Sequence, residues 1–301
     1  MRTRAVLVVG LIAFFLLAPA RPAAAWGEFG HRVTAIIAYH RLTSAAKARI
    51  DRLLQANADD LAPPDFVGSS VWADAARYEE AGTAGWHFAA YPLSWRGSFD
   101  SCPGPASKVG DMRQAQTGAE DCLIPRLYGF AARLDGHPDD ARSLKFLIHL
   151  VGDVHQPLHV ADNGNFGGNC VQLVAPKGVA NTNLHAFWDG PAAQSLGRDP
   201  AAAAAALEAR ITPEQATGWV AELRGPLAAA PNGWASAWAK ETFAMAPLAY
   251  APTNLKPGCG TRRVPATYPR QTSDAAGLQL SKAGVRLAFL LNRLFDPGGP
   301  R

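Results

Sequence analysis

The stretch "DDARSLKFLIHLVGDVHQPLH", residues 139–159, repeats its apolar residues with the period of a helix and therefore predicts one. Within it, His149 and Asp153 lie four residues apart, so their side chains share a helix face and both can reach one metal ion. The same spacing recurs in "NLHAFWDG" as His185 and Asp189. One such pair commonly forms an ordinary hydrogen bond or salt bridge, but two pairs among only eight histidines favour metal binding.

The other two histidines of this stretch are expected to differ in role. His155 follows His149 by six residues. In a helix of ~3.6 residues per turn this is a rotation of about 240°, so His155 should point away from the predicted metal face. Pro157 lacks a backbone N–H donor and disturbs the helix, so His159 is released from its phase and can face a neighbouring ion. We therefore expect His155 to be structural or to support a metal ligand without binding metal itself, and the stretch to lie between two metal positions.

Helical periodicity also dominates the rest of the chain, whereas strand-like alternation is scarce. Further helices are predicted at residues 31–42, 201–211, 233–250 and 273–295. The pair Thr212-Pro213 is typical of a helix start, and the best strand candidate is "CVQLVA", residues 170–175. Because no long linker or solenoid repeat interrupts the pattern, the sequence predicts an all-α single domain of long helices joined by irregular loops.

The first 25 residues have the pattern of a cleaved secretory signal. Two arginines precede an apolar run that ends in three alanines, so we expect residues 1–25 to be removed and residues 26–301 to form the domain. An uncleaved anchor helix is the alternative, but the run is short for a bilayer that needs ~20 residues. No later segment is apolar enough to span, so the mature chain is expected to be secreted or periplasmic, without a membrane anchor.

The charge of the mature chain is expected to be nearly balanced. The whole chain has a formal charge of +4, but Arg2, Arg4 and Arg21 lie in the predicted signal, which leaves the mature chain near +1. A broad basic surface of the kind that drives binding by counterion release is therefore not expected. If the chain binds phosphates, it should do so by other means.

Four cysteines in an exported chain indicate two disulfides, for which three pairings are possible. None has the C-x-x-C spacing of a zinc ribbon or a redox pair. We favour Cys102 with Cys122, because they bracket a loop rich in Gly, Ser and Pro, and this leaves Cys170 with Cys259.

Three further metal-ligand candidates lie upstream: Asp74 in "VWADAARY", His87 in "GWHFAAY" and His31 in "WGEFGHR". His40 and His137 lie among ordinary surface residues and are not candidates. Imidazole and carboxylate without thiolate suit zinc, and three protein ligands with one open position are the catalytic pattern. The sequence therefore predicts a zinc enzyme.

Motifs in a fixed order along the mature chain carry a resemblance to a known family. They are Trp26, His31, "WAD" at Asp74, "HF" at His87, "FLIHLVGDVHQPLH", "GGN" at Gly167 to Asn169, "NLHAFWD" and the C-terminal "AGVRLAFLLN". In these motifs the chain resembles the S-one/P-one nucleases, trinuclear-zinc enzymes of the phospholipase C/P-one nuclease fold. The resemblance implies a zinc endonuclease that cleaves single-stranded DNA and RNA to 5′-phosphorylated products and, as a further activity, removes phosphate from 3′-nucleotides. We expect the protein to be a monomer.

The resemblance also implies a ligand set for three zinc ions. One ion would be held by Asp74, His87, His149 and Asp153. A second would be held by His159, His185 and Asp189. The third would be held by the α-amino and carbonyl groups of Trp26 with His31 and Asp153, so Asp153 would bridge two ions. A free α-amino group, with a pKa near ~7.7, can offer a lone pair that an amide nitrogen lacks, so signal cleavage should complete the third site.

Catalytic and substrate-binding roles follow from the same resemblance. Catalytic residues would be Asp74, Arg77, Asp153 and Asn169. Arg77 and Asn169 would also contact the phosphate, and Phe88 would stack on a base, with Phe166 as a second aromatic wall of the base pocket. Three residues after His87 the family commonly has Asp or Asn, which bonds the base edge. Here that residue is Ala90, so base preference is open.

Two other functions are compatible with these ligands. A related zinc-dependent phospholipase C shares the N-terminal tryptophan and the helical metal scaffold, although Arg77 and Phe88 favour the nuclease. A zinc-storage protein could use the same ligands, but Arg77, Asn169 and Phe88 would have no evident role in it.

Overall fold

The computed structural model describes residues 26–80, 82–104, 121–174 and 181–299. The predicted signal, residues 1–25, lies outside the described residues, as does most of the loop between Cys102 and Cys122. The longer helices, in chain order, are α1 (Glu28–His40), α2 (Ser44–Ala56), α4 (Trp72–Glu79), α5 (Leu123–Gly136), α6 (Ala141–Asp153), α9 (Pro200–Glu208), α10 (Pro213–Trp219), α11 (Trp234–Phe243) and α13 (Tyr268–Phe295).

Short elements connect them. The short helices are α3 (Phe66–Ser69), α7 (Pro157–Val160), α8 (Leu184–Phe187) and α12 (Ala246–Ala249), with 3₁₀ turns at Ala84–His87, Ala221–Arg224 and Ala251–Thr253 and a π turn at Trp188–Ala192. The strands are β1 (Tyr91–Pro92), β2 (Ala161–Asp162), β3 (Val171–Val174), β4 (Thr182–Asn183) and β5 (Gly260–Arg263). The predicted mostly helical class is confirmed.

Helix α6 is the centre of the fold. Every residue from Ser143 to Asp153 is buried, because α6 packs against α4, α5, α1 and α13. Asp140 caps its start by accepting the N–H of Ser143 at 3.0 Å. Polar side chains in so enclosed a helix need partners, and Lys145 has them in the Asn57 carbonyl and the Asp59 carboxylate. The helix ends at Asp153, and Pro157 opens α7, so the predicted break is confirmed.

His155 has the structural role expected from its helical phase. Its Nδ1–H donates to the Val151 carbonyl at 2.7 Å, and its Nε2 accepts from Arg286 at 2.8 Å. Burial, together with the charge of Arg286, lowers the pKa of His155 to about 3. Arg286 is itself buried and donates to Glu241 at 2.8 Å. A neutral imidazole therefore joins the end of α6 to α13 and α11.

Two predicted helix boundaries were wrong, both near prolines. The helix predicted over 233–250 breaks after Phe243 and resumes at Ala246, because Pro247 is accommodated in the first turn of a new helix and not in the interior of an old one. The last helix begins at Tyr268 and not at residue 273, since Pro269 also fits a first turn. The predicted strand is present as β3, although Ala175 lies outside the described residues.

Both favoured disulfides are present in the structure. Cys102 joins Cys122, and Cys170 joins Cys259. The second bond lies at the start of the parallel β3–β5 pair, where Val171 is in register with Gly260. It therefore fixes the loop that leads from α7 into β3. Within the described ranges, no helix combines the length and the apolarity needed to cross a membrane.

Candidate metal centre

Three groups of histidine and aspartate side chains, all buried except the partly exposed Asp74, meet beside the end of α6. We call them the His87 group (Asp74, His87, His149), the His31 group (His31, His149, Asp153) and the His159 group (His159, His185, Asp189). In each group the potential ligand atoms lie within 4.8 Å of one another. The structure therefore brings together all eight side chains that the sequence proposes as metal ligands.

The His159 group has the hydrogen bonding of a prepared metal site. The Nδ1–H of His159 donates to the His87 carbonyl at 2.8 Å, and that of His185 donates to the Gly167 carbonyl at 2.9 Å. These bonds fix both rings and leave each Nε2 lone pair available. Both Nε2 atoms and Oδ2 of Asp189 are buried and have no hydrogen-bond partner among the described residues. Since unpaired buried polar atoms are costly, a shared cation fits this donor set.

Local structure explains why these three ligands converge. His159 lies in α7, immediately after the break at Pro157. His185 lies in α8, whose first turn is capped when Asn183 accepts the Ala186 N–H at 2.7 Å. Asp189 follows in the π turn that extends α8, a kind of irregularity that is frequent at functional sites.

Asp153, a member of the His31 group, also contacts His87 and so links the His31 group to the His87 group. Its Oδ2 lies 2.9 Å from Nδ1 of His87 and 3.3 Å from Nε2 of His149, and its Oδ1 lies 3.4 Å from Nε2 of His31. His149 donates from Nδ1 to the Ser70 carbonyl at 2.7 Å, so its Nε2 faces the cluster. One carboxylate therefore contacts three imidazoles, the geometry expected of a bridging ligand.

The remaining ligands of these groups lie close by. Oδ1 of Asp74 lies 3.8 Å from Nε2 of His149 and has no hydrogen-bond partner among the described residues. The ring of His31 stacks on that of His149, with centroids 3.9 Å apart. Trp26 is fully buried just before α1, and the adjacent Gly27 N–H donates to the Asp189 carbonyl at 2.8 Å. The backbone at Trp26 is thus held beside a candidate ligand.

The charges of the cluster favour a cation. Burial opposes protonation of His149, but the carboxylates of Asp153 and Asp74 outweigh it and raise the pKa of His149 to about 9. In the His159 group, burial lowers the pKa of His185 to about 4 and raises the pKa of Asp189 well above its usual range. The position beside His149 attracts positive charge through Asp153 and Asp74. The position beside His185 offers a neutral imidazole ligand.

Gly152 provides the space that His31 occupies. A Cβ at residue 152 would lie 2.8 Å from Nδ1 and 2.9 Å from Cε1 of His31. Gly152→Ala is therefore expected to displace the His31 ring and to weaken metal binding in the His31 group, as measured by the metal content of the purified protein. Gly129→Ala in α5 is the matched control, because its Cβ meets nothing within 4 Å. Equal metal content in the two variants would contradict this assignment.

Two of the four candidate substrate residues, Arg77 and Phe88, lie beside the cluster. The guanidinium of Arg77 lies 3.5 Å from Oδ1 of Asp74, and the half-buried ring of Phe88 lies 4.5 Å from that of His159. Asn169 donates from Nδ2 to the Phe166 carbonyl at 2.8 Å. This bond stabilises the loop whose Gly167 carbonyl contacts His185. Phe166, half-buried in the same loop, has a left-handed backbone with a φ of 56°. The structure therefore brings Arg77 and Phe88 to the cluster and assigns a loop contact to Asn169.

Ala90 has a strained, left-handed backbone conformation. Its φ is 55°, and its N–H donates to the His159 carbonyl at 3.2 Å. Left-handed backbone costs roughly 1–2 kcal/mol for an ordinary residue and little for glycine. Ala90→Gly is therefore expected to stabilise the protein by about 1 kcal/mol in denaturant unfolding. Ala132→Gly, at an exposed position within α5, should destabilise it by a similar amount, and a loss of stability in both variants would contradict the strain.

Sequence reasoning missed two residues of the centre. Tyr78 is 59% exposed, and its hydroxyl accepts a hydrogen bond from Arg77 at 3.2 Å, so it lies at the rim of the cluster. Gln156 is fully buried and donates to Oδ1 of Asp189 at 2.7 Å. The available signal for Gln156 was its position between the candidate ligands Asp153 and His159.

Together, the helical fold and the cluster define a protein with a largely buried group of histidine and aspartate side chains that could hold metal. The family model for the S1/P1 Nuclease matches residues 26–296. The chain therefore belongs to the S1/P1 nuclease family, and it is a nuclease.

Two curated relatives align with the chain over nearly its full length, and a third aligns over about half. The chain is 25% identical over 284 residues to Nuclease P1 of Penicillium citrinum, covering 89% of this chain and 97% of the relative. It is 27% identical over 309 residues to Endonuclease 2 of Arabidopsis thaliana, covering 96% and 97%. It is also 29% identical to Nuclease S1 of Aspergillus oryzae over 169 residues, about half of each chain.

Proposed function

We propose that the chain is a secreted, zinc-dependent endonuclease that hydrolyses single-stranded DNA and RNA to 5′-phosphorylated products and also removes phosphate from 3′-nucleotides. The observation that carries the proposal is the shared carboxylate of Asp153 within a buried cluster of unpartnered ligand atoms. Residues 1–25 would be the signal and residues 26–301 a monomeric nuclease domain. The two disulfides suit an oxidising compartment.

The donor set fits three zinc ions. Imidazole and carboxylate without thiolate are typical of catalytic zinc, and the buried Nε2 atoms of His159 and His185 need a partner. When bound, zinc ions supply Lewis acidity and lower the pKa of water, so hydroxide becomes available near neutral pH. We propose the ligand sets given by the resemblance, with Asp153 shared between two ions and the backbone of Trp26 completing the third set.

The side chains around the cluster would bind and orient the substrate. Arg77 can donate to the non-bridging oxygens of the scissile phosphate while Asp74 holds its guanidinium. Phe88, half-buried beside His159, can stack on an unpaired base, a contact worth about 1–3 kcal/mol that any base provides. Such stacking requires a base that has left its duplex partner, which favours single strands. Asn169 can offer its amide oxygen, and Phe166 a second apolar wall.

Removing Arg77 is expected to slow hydrolysis without changing metal content. The loss of one positioned donor to a developing anion typically costs 10²–10³-fold in rate, and Arg77→Ala should fall in about that range. The measurement is the turnover of a single-stranded oligonucleotide by a protein of verified zinc content. Arg133→Ala is the matched control, since that exposed arginine pairs with Asp140 on the surface. Equal rates in both variants would remove Arg77 from the proposed mechanism.

One experiment tests the function itself. Purified mature protein is supplied with zinc and assayed on single-stranded DNA, RNA, duplex DNA, a 3′-nucleotide and phosphatidylcholine. We expect cleavage of both single strands with 5′-phosphate ends, release of phosphate from the 3′-nucleotide and little cleavage of the duplex. Hydrolysis of the lipid alone would favour the phospholipase alternative, and tight zinc binding without any hydrolysis would favour storage.

A further inference from the structure

The strongest unassigned feature of the centre is Gln156, which contacts two segments that carry ligands of the His159 group. It lies between α6 and α7 and is fully buried. Its amide nitrogen donates to Oδ1 of Asp189 at 2.7 Å, and its amide oxygen accepts the N–H of Leu158 at 2.5 Å. Both ends of the amide are therefore satisfied by groups next to candidate metal ligands.

The contact with Asp189 decides which carboxylate oxygen faces the group. Gln156 occupies Oδ1, whereas Oδ2 lies 3.5 Å from Nε2 of His185 and has no hydrogen-bond partner among the described residues. The Gly27 N–H donates to the backbone carbonyl of Asp189. The side chain of Asp189 would otherwise rotate about its own bonds, so the amide of Gln156 fixes the direction of the ligand oxygen.

The contact with Leu158 acts on the other ligand. By accepting that N–H, Gln156 caps the first turn of α7, whose third residue is His159. The ring of His159 is then oriented by the His87 carbonyl. One side chain thus couples the start of the helix that carries His159 to the carboxylate of Asp189, although these ligands are distant in sequence.

A neutral donor is the chemistry that this position requires. A lysine or arginine could also bind Asp189, but its charge would repel a cation in the same group. A glutamate would repel the carboxylate. The amide provides one donor and one acceptor without charge, so it adds no charge that would repel either Asp189 or a metal ion.

We infer that Gln156 is a positioning residue that orients Asp189 and His159 for one zinc ion, an inference that rests on the proposed zinc site. Partners of this kind typically contribute 10–100-fold to metal affinity. Its loss is therefore expected to weaken one of the bound ions and to leave the others unchanged.

Two variants separate orientation of Asp189 from capping of α7. Gln156→Met fills the same space without polar groups and removes both contacts. Gln156→Asn keeps an oxygen that can cap Leu158, but its side chain is too short to reach Asp189. The matched control is Gln279→Met, because Gln279 is equally buried and donates to Thr242 at 3.3 Å, outside the cluster.

The experiment measures zinc retained by each mature protein across a graded series of chelator concentrations, with the absorption spectrum of the cobalt-substituted protein as a second readout. Thermal unfolding of the metal-free proteins reports the fold. Both Gln156 variants should lose one ion at a chelator concentration about 10–100-fold lower than the wild type does. The cobalt spectrum of both variants should also be altered. Gln279→Met should match the wild type even if it unfolds earlier.

Three results would count against these ideas in different ways. Wild-type affinity in both Gln156 variants would overturn the inference. Weak binding in Gln156→Met with wild-type binding in Gln156→Asn would also overturn it, because capping alone would then explain the effect. A wild-type protein that retains no zinc would instead refute the proposed function. If Gln156→Met does not fold, the zinc affinity of Gln156→Asn still tests the role of Gln156.

Discussion

Asp153→Asn is expected to abolish detectable hydrolysis of single-stranded DNA while the protein remains folded. The carboxylate lies within 3.4 Å of nitrogen atoms of His31, His87 and His149, so it contacts ligands of both the His87 group and the His31 group. Asparagine has the same shape but carries no charge and offers only one oxygen as a ligand. Both ions that Asp153 would bridge should therefore bind more weakly.

The size of the effect follows from what the ions contribute. Lewis-acid stabilisation is worth several kcal/mol of the barrier, and about 1.4 kcal/mol corresponds to a tenfold change, so a loss of roughly 10³-fold or more is expected. The checks are the hydrolysis rate and the zinc content of the same preparation. Asp199→Asn is the matched control, because asparagine replaces aspartate well as the cap of α9. Full activity in Asp153→Asn would refute the bridging role.

The sequence predicted those parts of the centre that depend on local geometry. The four-residue spacing placed His149 with Asp153 and His185 with Asp189, and the structure holds these pairs at 3.3 and 3.5 Å. The rotation per residue also separated His155 from the ligand face. These predictions succeed because helix geometry relates residues close in sequence without knowledge of the tertiary fold.

What the sequence could not predict is non-local. The acceptors that orient the imidazoles are backbone carbonyls of Ser70, His87 and Gly167, and no side-chain pattern marks a carbonyl. The meeting of Asp74 with His149 came from family resemblance and not from periodicity. The left-handed backbone of Ala90 was hidden for a different reason, since alanine gives no signal for a conformation that it rarely adopts.

Residues placed before Trp26 are expected to reduce both zinc content and activity. Trp26 is fully buried, and the next residue donates its N–H to the Asp189 carbonyl, so the backbone at Trp26 lies against the centre. A free α-amino group has a pKa near ~7.7 and can give up its proton to a metal ion, whereas an amide nitrogen has no lone pair to offer. Preceding residues would turn the proposed α-amino ligand into an amide.

The comparison uses one form that begins at Trp26 and another with a short Gly-Ser extension before it. The extended form should bind one zinc ion fewer and lose roughly 10²-fold or more in rate, since one Lewis acid contributes several kcal/mol. A Gly-Ser extension at the other terminus is the control for the added residues. If the extended form keeps its full zinc content and rate, the α-amino group is not a ligand, and His31 with Asp153 must hold the third ion without it.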